Sequence, residues 1–177
     1  MSDILSKIKI RPFVNEDDIE ELTLLLNNAY KKLSDKGFKY LASHQDSSVT
    51  KDRIEKGQCF VVSHENKLIA TITYYSPSQA SGNEWYDQDF VASYGQFAVD
   101  SKFQNTGIGG KLIEFVEDLA RSDNAKEIAV DTAEGAEELI AYYSKRDYKF
   151  VGHTQWKETN YRSVLLSKTL SHSKPMN

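Results

Sequence analysis

The sequence predicts an α/β (α+β) protein with about seven strands and about four helices, in the order β-α-α-β-β-β-α-β-α-β-β. Short apolar runs of strand length alternate with segments whose apolar residues recur at helical spacing. Two pairs of strand-like runs are separated by only a few polar residues, which is typical of hairpins. The 177 residues suffice to bury a core, so the chain is interpreted as one domain, residues 1–177, with its core at about 8–170.

The first half of the chain is predicted to supply one strand, two helices and a hairpin. Pro12 favours an edge position for the first strand. The acidic run at 15–18 supplies an N-cap and a negative first turn for the first helix, whose apolar residues share one face. The predicted segments are a loose leader, a strand, two helices and two hairpin strands, at residues 1–7, 8–14, 19–33, 47–56, 59–63 and 68–75.

The second half is predicted to begin with a polar loop and then to alternate strands with helices. The loop, residues 76–89, contains Trp85 and Tyr86 among acidic side chains. The segments after it are a strand, a helix, a strand, a helix and two hairpin strands, at residues 97–99, 108–121, 127–132, 136–145, 148–156 and 161–170.

The stretch from Tyr94 to Arg121 combines a strand, a glycine-bearing turn and an amphipathic helix. The first amides of a helix have no intrahelical partner and lie at the positive end of its dipole, so they bind anions such as phosphate. Gly107 and Gly109 allow the backbone to approach a ligand closely. The turn lacks the first glycine of a dinucleotide fingerprint and the Gly-Lys-Ser/Thr of a Walker loop. From these residues alone, a phosphate site and a packing turn remain alternatives.

Two motifs in this region carry a family resemblance. Gln104-x-x-Gly107-x-Gly109, after a strand that ends in Ala98-Val99-Asp100, resembles the acetyl-CoA signature of the GNAT superfamily of N-acetyltransferases. The segment 138–148 is similar to the family's closing helix, A-x-x-x-Tyr-x-Lys-x-Gly-Phe, with Tyr143 on its tyrosine. Asp147 replaces the usual glycine there, and an aspartate can adopt the left-handed conformation at modest cost.

The resemblance covers nearly the whole chain and implies a GNAT fold, with a central mixed, mostly antiparallel sheet. It also implies acetyl-CoA as co-substrate, held by a bulged strand, by the glycine loop and by a tyrosine near the sulfur. Ala136-Glu137 stands where many relatives have an asparagine that contacts the pantetheine arm, so that contact is expected to be absent or replaced. Carried onto this sequence, the cofactor-binding residues are Phe97, Ala98, Val99, Gln104, Asn105, Thr106, Gly107, Ile108, Gly109, Gly110, Lys111 and Tyr143.

Acetyl transfer needs a neutral amine and a protonated leaving thiol. The motif match favours Tyr143 as general acid over a role in packing alone. No base is evident; the acidic loop offers Glu84, Asp87 and Asp89, of which Glu84 is the chosen candidate, and His44 is a weaker one. Trp85 and Tyr86 are candidate contacts for a cationic amine. Tyr94 and Gln96, on the strand that leads into the glycine loop, are further substrate candidates.

Composition restricts the other function classes. A net charge of −4 and a pI near 5.6 argue against nucleic-acid binding. The single cysteine, Cys59, is typical of a reducing compartment, and no signal peptide or membrane-spanning stretch is visible, so a cytoplasmic protein is predicted. The four histidines have no metal-ligand spacing, so no metal is expected. A homodimer is left open.

The predicted function is transfer of an acetyl group from acetyl-CoA to a primary amine of a small molecule or peptide, by direct attack in a ternary complex. No Gly-x-Ser-x-Gly elbow and no paired cysteine and histidine indicate a covalent route. The alternatives are an acyltransferase for another acyl-CoA and a non-catalytic acyl-CoA-binding or regulatory domain. The presence of the family's motif residues favours an enzyme over a binding domain; these residues are Gln104, Gly107, Gly109 and Tyr143.

Overall fold

A computed structural model describes residues 2–172. Its seven strands are β1 (Ile10–Pro12), β2 (Gln58–His64), β3 (Lys67–Tyr75), β4 (Val91–Val99), β5 (Glu127–Ala133), β6 (Lys149–Thr154) and β7 (Ser163–Thr169). They form one sheet in the order β1-β2-β3-β4-β5-β7-β6. Of the strand pairs in it, β4 and β5 are parallel and the others are antiparallel. The predicted mixed, mostly antiparallel sheet of seven strands is confirmed.

Five α-helices flank the sheet in the described part of the chain. They are α1 (Ser2–Lys7), α2 (Ile19–Asp35), α3 (Ser47–Glu55), α4 (Ile108–Ser122) and α5 (Glu137–Ser144). Four of them were expected, and α1 is additional. The prediction of a loose leader at 1–7 was therefore wrong for the residues described, because Leu5 and the following Ile8 pack against the main core.

Successive side chains of the central strands point to opposite faces of the sheet, so the core has two layers. Cys59 and Val61 of β2 pack with apolar residues of α2 and α3. Phe60 and Val62, which point to the opposite face, pack with residues of α4. The sheet is therefore covered by helices on both faces, which leaves its openings at strand ends and between strands that separate.

Such a separation occurs between β4 and β5. The two strands pair only through Val91–Ser93 with residues 127–129, so the rest of β4 has no partner in β5. Further along β4, the register with β3 shifts, and Gln96 takes a positive φ of 46°. This irregularity is the β-bulge that the resemblance implied next to the glycine loop.

One backbone prediction about the motifs is also confirmed. Asp147 has a φ of 67°, so the turn after α5 keeps the left-handed conformation without glycine. Gly107 has a φ of 92° and forms the N-cap of α4.

In residues 2–172 no helix has both the length and the apolar character needed to cross a membrane. Over the same range no group of three His, Cys, Asp or Glu side chains is placed to hold a metal ion.

Candidate active site

A cavity of about 610 Å³ lies between the end of β4, the start of α4 and α5. We call it the cofactor cavity. Most of the predicted cofactor-binding residues line it, namely Phe97, Ala98, Val99, Gln104, Asn105, Gly107, Gly109, Gly110 and Tyr143. The two sequence motifs, which residues 110–137 separate in the chain, therefore meet at one site, as the resemblance implied.

Three predicted cofactor residues do not line this cavity. The Thr106 hydroxyl donates a hydrogen bond back to the carbonyl of Phe103. Ile108 is fully buried in the core beneath α4, and the Lys111 side chain is exposed. The side chains of these residues serve the turn, the core and the surface respectively.

The geometry of the glycine loop fits an anionic, closely bound ligand. No side chain of the described residues caps the N-terminus of α4, so no side chain competes with a ligand for its first amides. A Cβ added at Gly109 would lie 3.2 Å from both Phe97 Cζ and Tyr142 Oη, so a side chain there would enter the space beside the loop. Gln104 Nε2 donates to the Val99 carbonyl at 3.1 Å and ties the loop to β4.

Arg146 supplies positive charge at this loop and was not predicted from the sequence. Its guanidinium lies over the ring of Tyr142, 3.9 Å from the centroid, and lines the cofactor cavity. A Cβ added at Gly110 would come within 3.2 Å of Arg146 Nη2. Lys111, the cation among the predicted cofactor-binding residues, is exposed, whereas Arg146 lies beside the loop.

A second cavity of about 450 Å³ opens where β4 and β5 separate. We call it the acceptor cavity. Its wall is largely aromatic, and its charged members come from α3, from the residue after α3, from β5 and from the loop before β7: Arg53, Lys56, Asp131 and Glu158. It shares four lining residues with the cofactor cavity, namely Tyr30, Phe97, Leu139 and Tyr143.

Tyr143 lies at this shared wall and is only 5% exposed. Burial raises its pKa well above the usual value, and neighbouring tyrosines such as Tyr94 add to the effect. The phenol is therefore protonated at neutral pH and available as a proton donor. Tyr94 and Gln96, the predicted substrate contacts on β4, line the acceptor cavity, as expected for such contacts.

Asp131 is a carboxylate in the acceptor cavity that the sequence reasoning missed. Its Oδ1 accepts a hydrogen bond from Tyr86 Oη at 3.0 Å, and its Oδ2 accepts one from Trp156 Nε1 at 2.9 Å. These two bonds fix the orientation of the carboxylate. The signal in the sequence was a lone acid in the otherwise uncharged run 128–133.

The acidic loop before β4 lies differently from the prediction. Glu84 is exposed, and neither it nor Trp85 belongs to the described residues that line the two cavities. The Trp85 indole packs against Phe90 and donates to Ser167 Oγ at 3.0 Å. Of the predicted amine-binding pair, Tyr86 alone lines the acceptor cavity. The position of Glu84 gives no support to its role as base, which stays a prediction.

The fold, the paired cavities and the known relatives agree on the class of the protein, which is an acetyl-CoA-dependent N-acetyltransferase. The chain belongs to the GNAT acetyltransferase family, because the family model described as "Acetyltransferase (GNAT) family" matches residues 19–148.

Two curated relatives come from Bacillus subtilis (strain 168). One, an S-(2-succino)cysteine N-acetyltransferase, is 29% identical over 164 residues, which cover 89% of this chain and 93% of that protein. The other, an S-alkylcysteine N-acetyltransferase, is 25% identical over 139 residues, which cover 75% and 74%. A GNAT family acetyltransferase from Elizabethkingia anophelis, solved with acetyl-CoA bound, superposes with a TM-score of 0.59 at 21% identity, covering 92% of this chain and 98% of that one. That likeness shows the fold.

Proposed function

We propose that the acceptor is an S-substituted cysteine, acetylated on its α-amino group by acetyl-CoA. The observation that supports the proposal is the wall of four residues shared by the two cavities, because an amine bound in one cavity would lie next to a thioester bound in the other. The names of the two Bacillus relatives support this choice of acceptor. The cytoplasmic location stays a prediction, and a homodimer stays open.

The acceptor cavity has the chemistry that such a substrate requires. An S-substituted cysteine carries an ammonium, a carboxylate and an apolar thioether. The cavity offers Asp131 and Glu158 of one sign and Arg53 and Lys56 of the other, set in an aromatic wall. Burial is the main reason that the pKa values of Tyr30 and Tyr161 are raised. Asp131 raises both pKa values further and Arg53 lowers both, so the two opposite charges lie within range of the same two side chains.

Different residues of this chain bind acetyl-CoA, accept the proton of the amine and donate a proton to the sulfur. When bound, acetyl-CoA supplies the activated acetyl group. The amides of the glycine loop and the Arg146 guanidinium hold its phosphates. Asp131 takes a proton from the acceptor ammonium, directly or through a water, so that the amine becomes a nucleophile. As the new N–C bond forms and the C–S bond breaks, Tyr143 Oη donates a proton to the departing sulfur. The attacking nitrogen then loses its second proton, which restores the Tyr143 phenol directly or through a water, and Asp131 releases the first proton to solvent.

Replacement of Tyr143 by phenylalanine is expected to lower kcat by about 100-fold, because a general acid typically contributes at least that factor. The affinity for acetyl-CoA should stay near the wild-type value, because the ring remains in the cavity wall. Thiol-release rates and calorimetric titration measure the two quantities. Tyr142→Phe is the matched control, since Tyr142 lines the cofactor cavity alone. A wild-type kcat in Tyr143→Phe, with chemistry shown to be rate-limiting, would contradict the acid role.

The acceptor is tested by thiol release with acetyl-CoA and a panel of amines. S-(2-succino)cysteine and S-alkylcysteines should be acetylated with a higher kcat/KM than a polyamine, an aminoglycoside or a peptide. A clear preference for one of those other amines would overturn the proposed acceptor. Binding of acetyl-CoA with no turnover of any amine would instead favour a binding or regulatory domain, and turnover with succinyl-CoA alone would identify a different donor.

A further inference from the structure

A chain of hydrogen-bonded polar side chains reaches the acceptor cavity from the region of α3. Its central member is the amide of Gln45, which is 4% exposed. Gln45 Oε1 accepts a hydrogen bond from Arg53 Nη1 at 2.7 Å. Gln45 Nε2 donates to Thr50 Oγ1 at 2.8 Å and to Gln96 Oε1 at 2.7 Å. Both the Nε2 and the Oε1 atom of Gln45 are therefore hydrogen-bonded.

This chain fixes which end of the Gln96 amide is free. A guanidinium can only donate, so Arg53 requires the oxygen of Gln45 to face it. Gln45 Nε2 then faces Gln96, and only the oxygen of Gln96 can accept from it. Gln96 is only 2% exposed, and its Nε2 atom has no hydrogen-bond partner among the described residues. A buried donor without a partner is costly, which indicates a ligand that completes it.

The residue that carries the free donor lines the acceptor cavity and not the cofactor cavity. Gln96 and Arg53 both line the former, and neither lines the latter. Gln96 also immediately precedes Phe97, which belongs to the wall that the two cavities share. Its φ of 46° lies in the left-handed region, where a non-glycine residue is held at a cost by its surroundings.

We propose that Gln96 Nε2 and the Arg53 guanidinium form the subsite that binds the carboxylate of the acceptor. Both groups donate hydrogen bonds only, one of them is charged, and both contact the same Gln45 amide. A carboxylate, with two acceptor oxygens and a negative charge, is the complementary group. This inference rests on the proposed function and adds that the enzyme selects amines that carry a carboxylate.

The covalent geometry of an α-amino acid agrees with this placement. Its amine and its carboxylate are attached to one carbon, so a carboxylate beside Gln96 holds the amine close to Phe97 at the shared wall. A carboxylate in the S-substituent would place the amine several bonds further away. We therefore assign the subsite to the α-carboxylate.

The test compares acceptors that differ only in this group. The wild-type enzyme should acetylate S-ethylcysteine with a kcat/KM at least about tenfold higher than S-ethylcysteine amide or S-ethylcysteamine, because a hydrogen bond to a charged group is lost in each case. S-(2-succino)cysteine with its α-carboxylate converted to an amide keeps the other carboxylates. It should lose as much as the S-ethyl compound, whereas little loss would assign the subsite to the substituent.

Variants identify the residues. Gln96→Glu keeps the oxygen that accepts from Gln45 and replaces the free donor with a second oxygen, which repels a carboxylate. It should lower kcat/KM for S-ethylcysteine by about 100-fold and reverse the preference in favour of S-ethylcysteamine. Arg53→Met should raise KM for S-ethylcysteine more than it lowers kcat. Lys51→Met, on the exposed face of the same helix and outside both cavities, is the matched control.

The outcomes separate the two proposals. Equal turnover of S-ethylcysteine and its amide would overturn the subsite and leave the acceptor class intact. A preference for the acid that neither Gln96→Glu nor Arg53→Met changes would overturn the assignment to these residues. No turnover of acid or amide, with acetyl-CoA bound normally, would overturn both proposals. Calorimetric titration with acetyl-CoA verifies that each variant is folded, because these residues lie outside the cofactor cavity.

Discussion

Gly109→Ile is expected to abolish measurable binding of acetyl-CoA while the protein stays folded. The first carbon of the new side chain would lie 3.2 Å from Phe97 Cζ and Tyr142 Oη, and the remaining atoms extend into the cofactor cavity. A ligand is then held away from the loop amides. Loss of two hydrogen bonds to charged groups corresponds to about a 100-fold or greater rise in Kd.

Calorimetric titration with acetyl-CoA measures this effect, and urea unfolding measures the stability of the variant. Gly152→Ala is the control, because Gly152 lines neither cavity and its added carbon would make an ordinary contact, 3.9 Å from Leu165 Cδ1. Unchanged affinity in a folded Gly109→Ile would show that the phosphates bind elsewhere, and the assignment of the loop would be wrong.

Asp131→Asn is expected to lower kcat/KM for the amine by about 100-fold or more, because it removes the proposed proton acceptor. The change is nearly isosteric, and the amide oxygen still accepts from Trp156 or from Tyr86, so the cavity should keep its shape. The loss should shrink as the pH rises, since a larger fraction of the amine is then already neutral. Initial rates from neutral to alkaline pH measure this dependence.

Glu84→Gln separates this proposal from the prediction made on the sequence. Its side chain is exposed and outside both cavities, so turnover should stay near the wild-type rate. A loss of turnover in Glu84→Gln together with full activity in Asp131→Asn would restore Glu84 as the base. Loss in both variants would indicate that the acidic loop moves onto the acceptor cavity during the reaction.

The cofactor loop was predictable because its signal is local. Gln104, Gly107 and Gly109 follow a strand and begin a helix within a few residues, so their spacing alone defines the turn. The same locality explains why Ile108 and Lys111 were included although they do not line the cofactor cavity. A run of consecutive residues shares one backbone path, but successive side chains of a helix point to the core or to solvent in turn.

The acceptor cavity was much less predictable. Arg53, Gln96 and Asp131 come from α3, β4 and β5, and they meet only because β4 and β5 separate. A single sequence does not show where two strands diverge. Nor does it show which acid of a loop faces inward, so Glu84 was selected for its position before β4. A charged residue inside a buried strand, such as Asp131, is the more informative signal for an inward-facing acid.

The contact between α1 and the glycine loop has a consequence for the stability of α1. The Leu5 side chain lies against Gly107, such that a carbon added there would be 3.1 Å from Leu5 Cδ1. A helix of six residues is too short to be stable alone, so α1 depends on contacts of this kind. Docking of α1 and binding of a ligand at the loop thus both involve Gly107. By thermodynamic linkage any coupling between them is reciprocal, so whatever stability a bound ligand adds to α1, loss of α1 removes from the binding of the ligand.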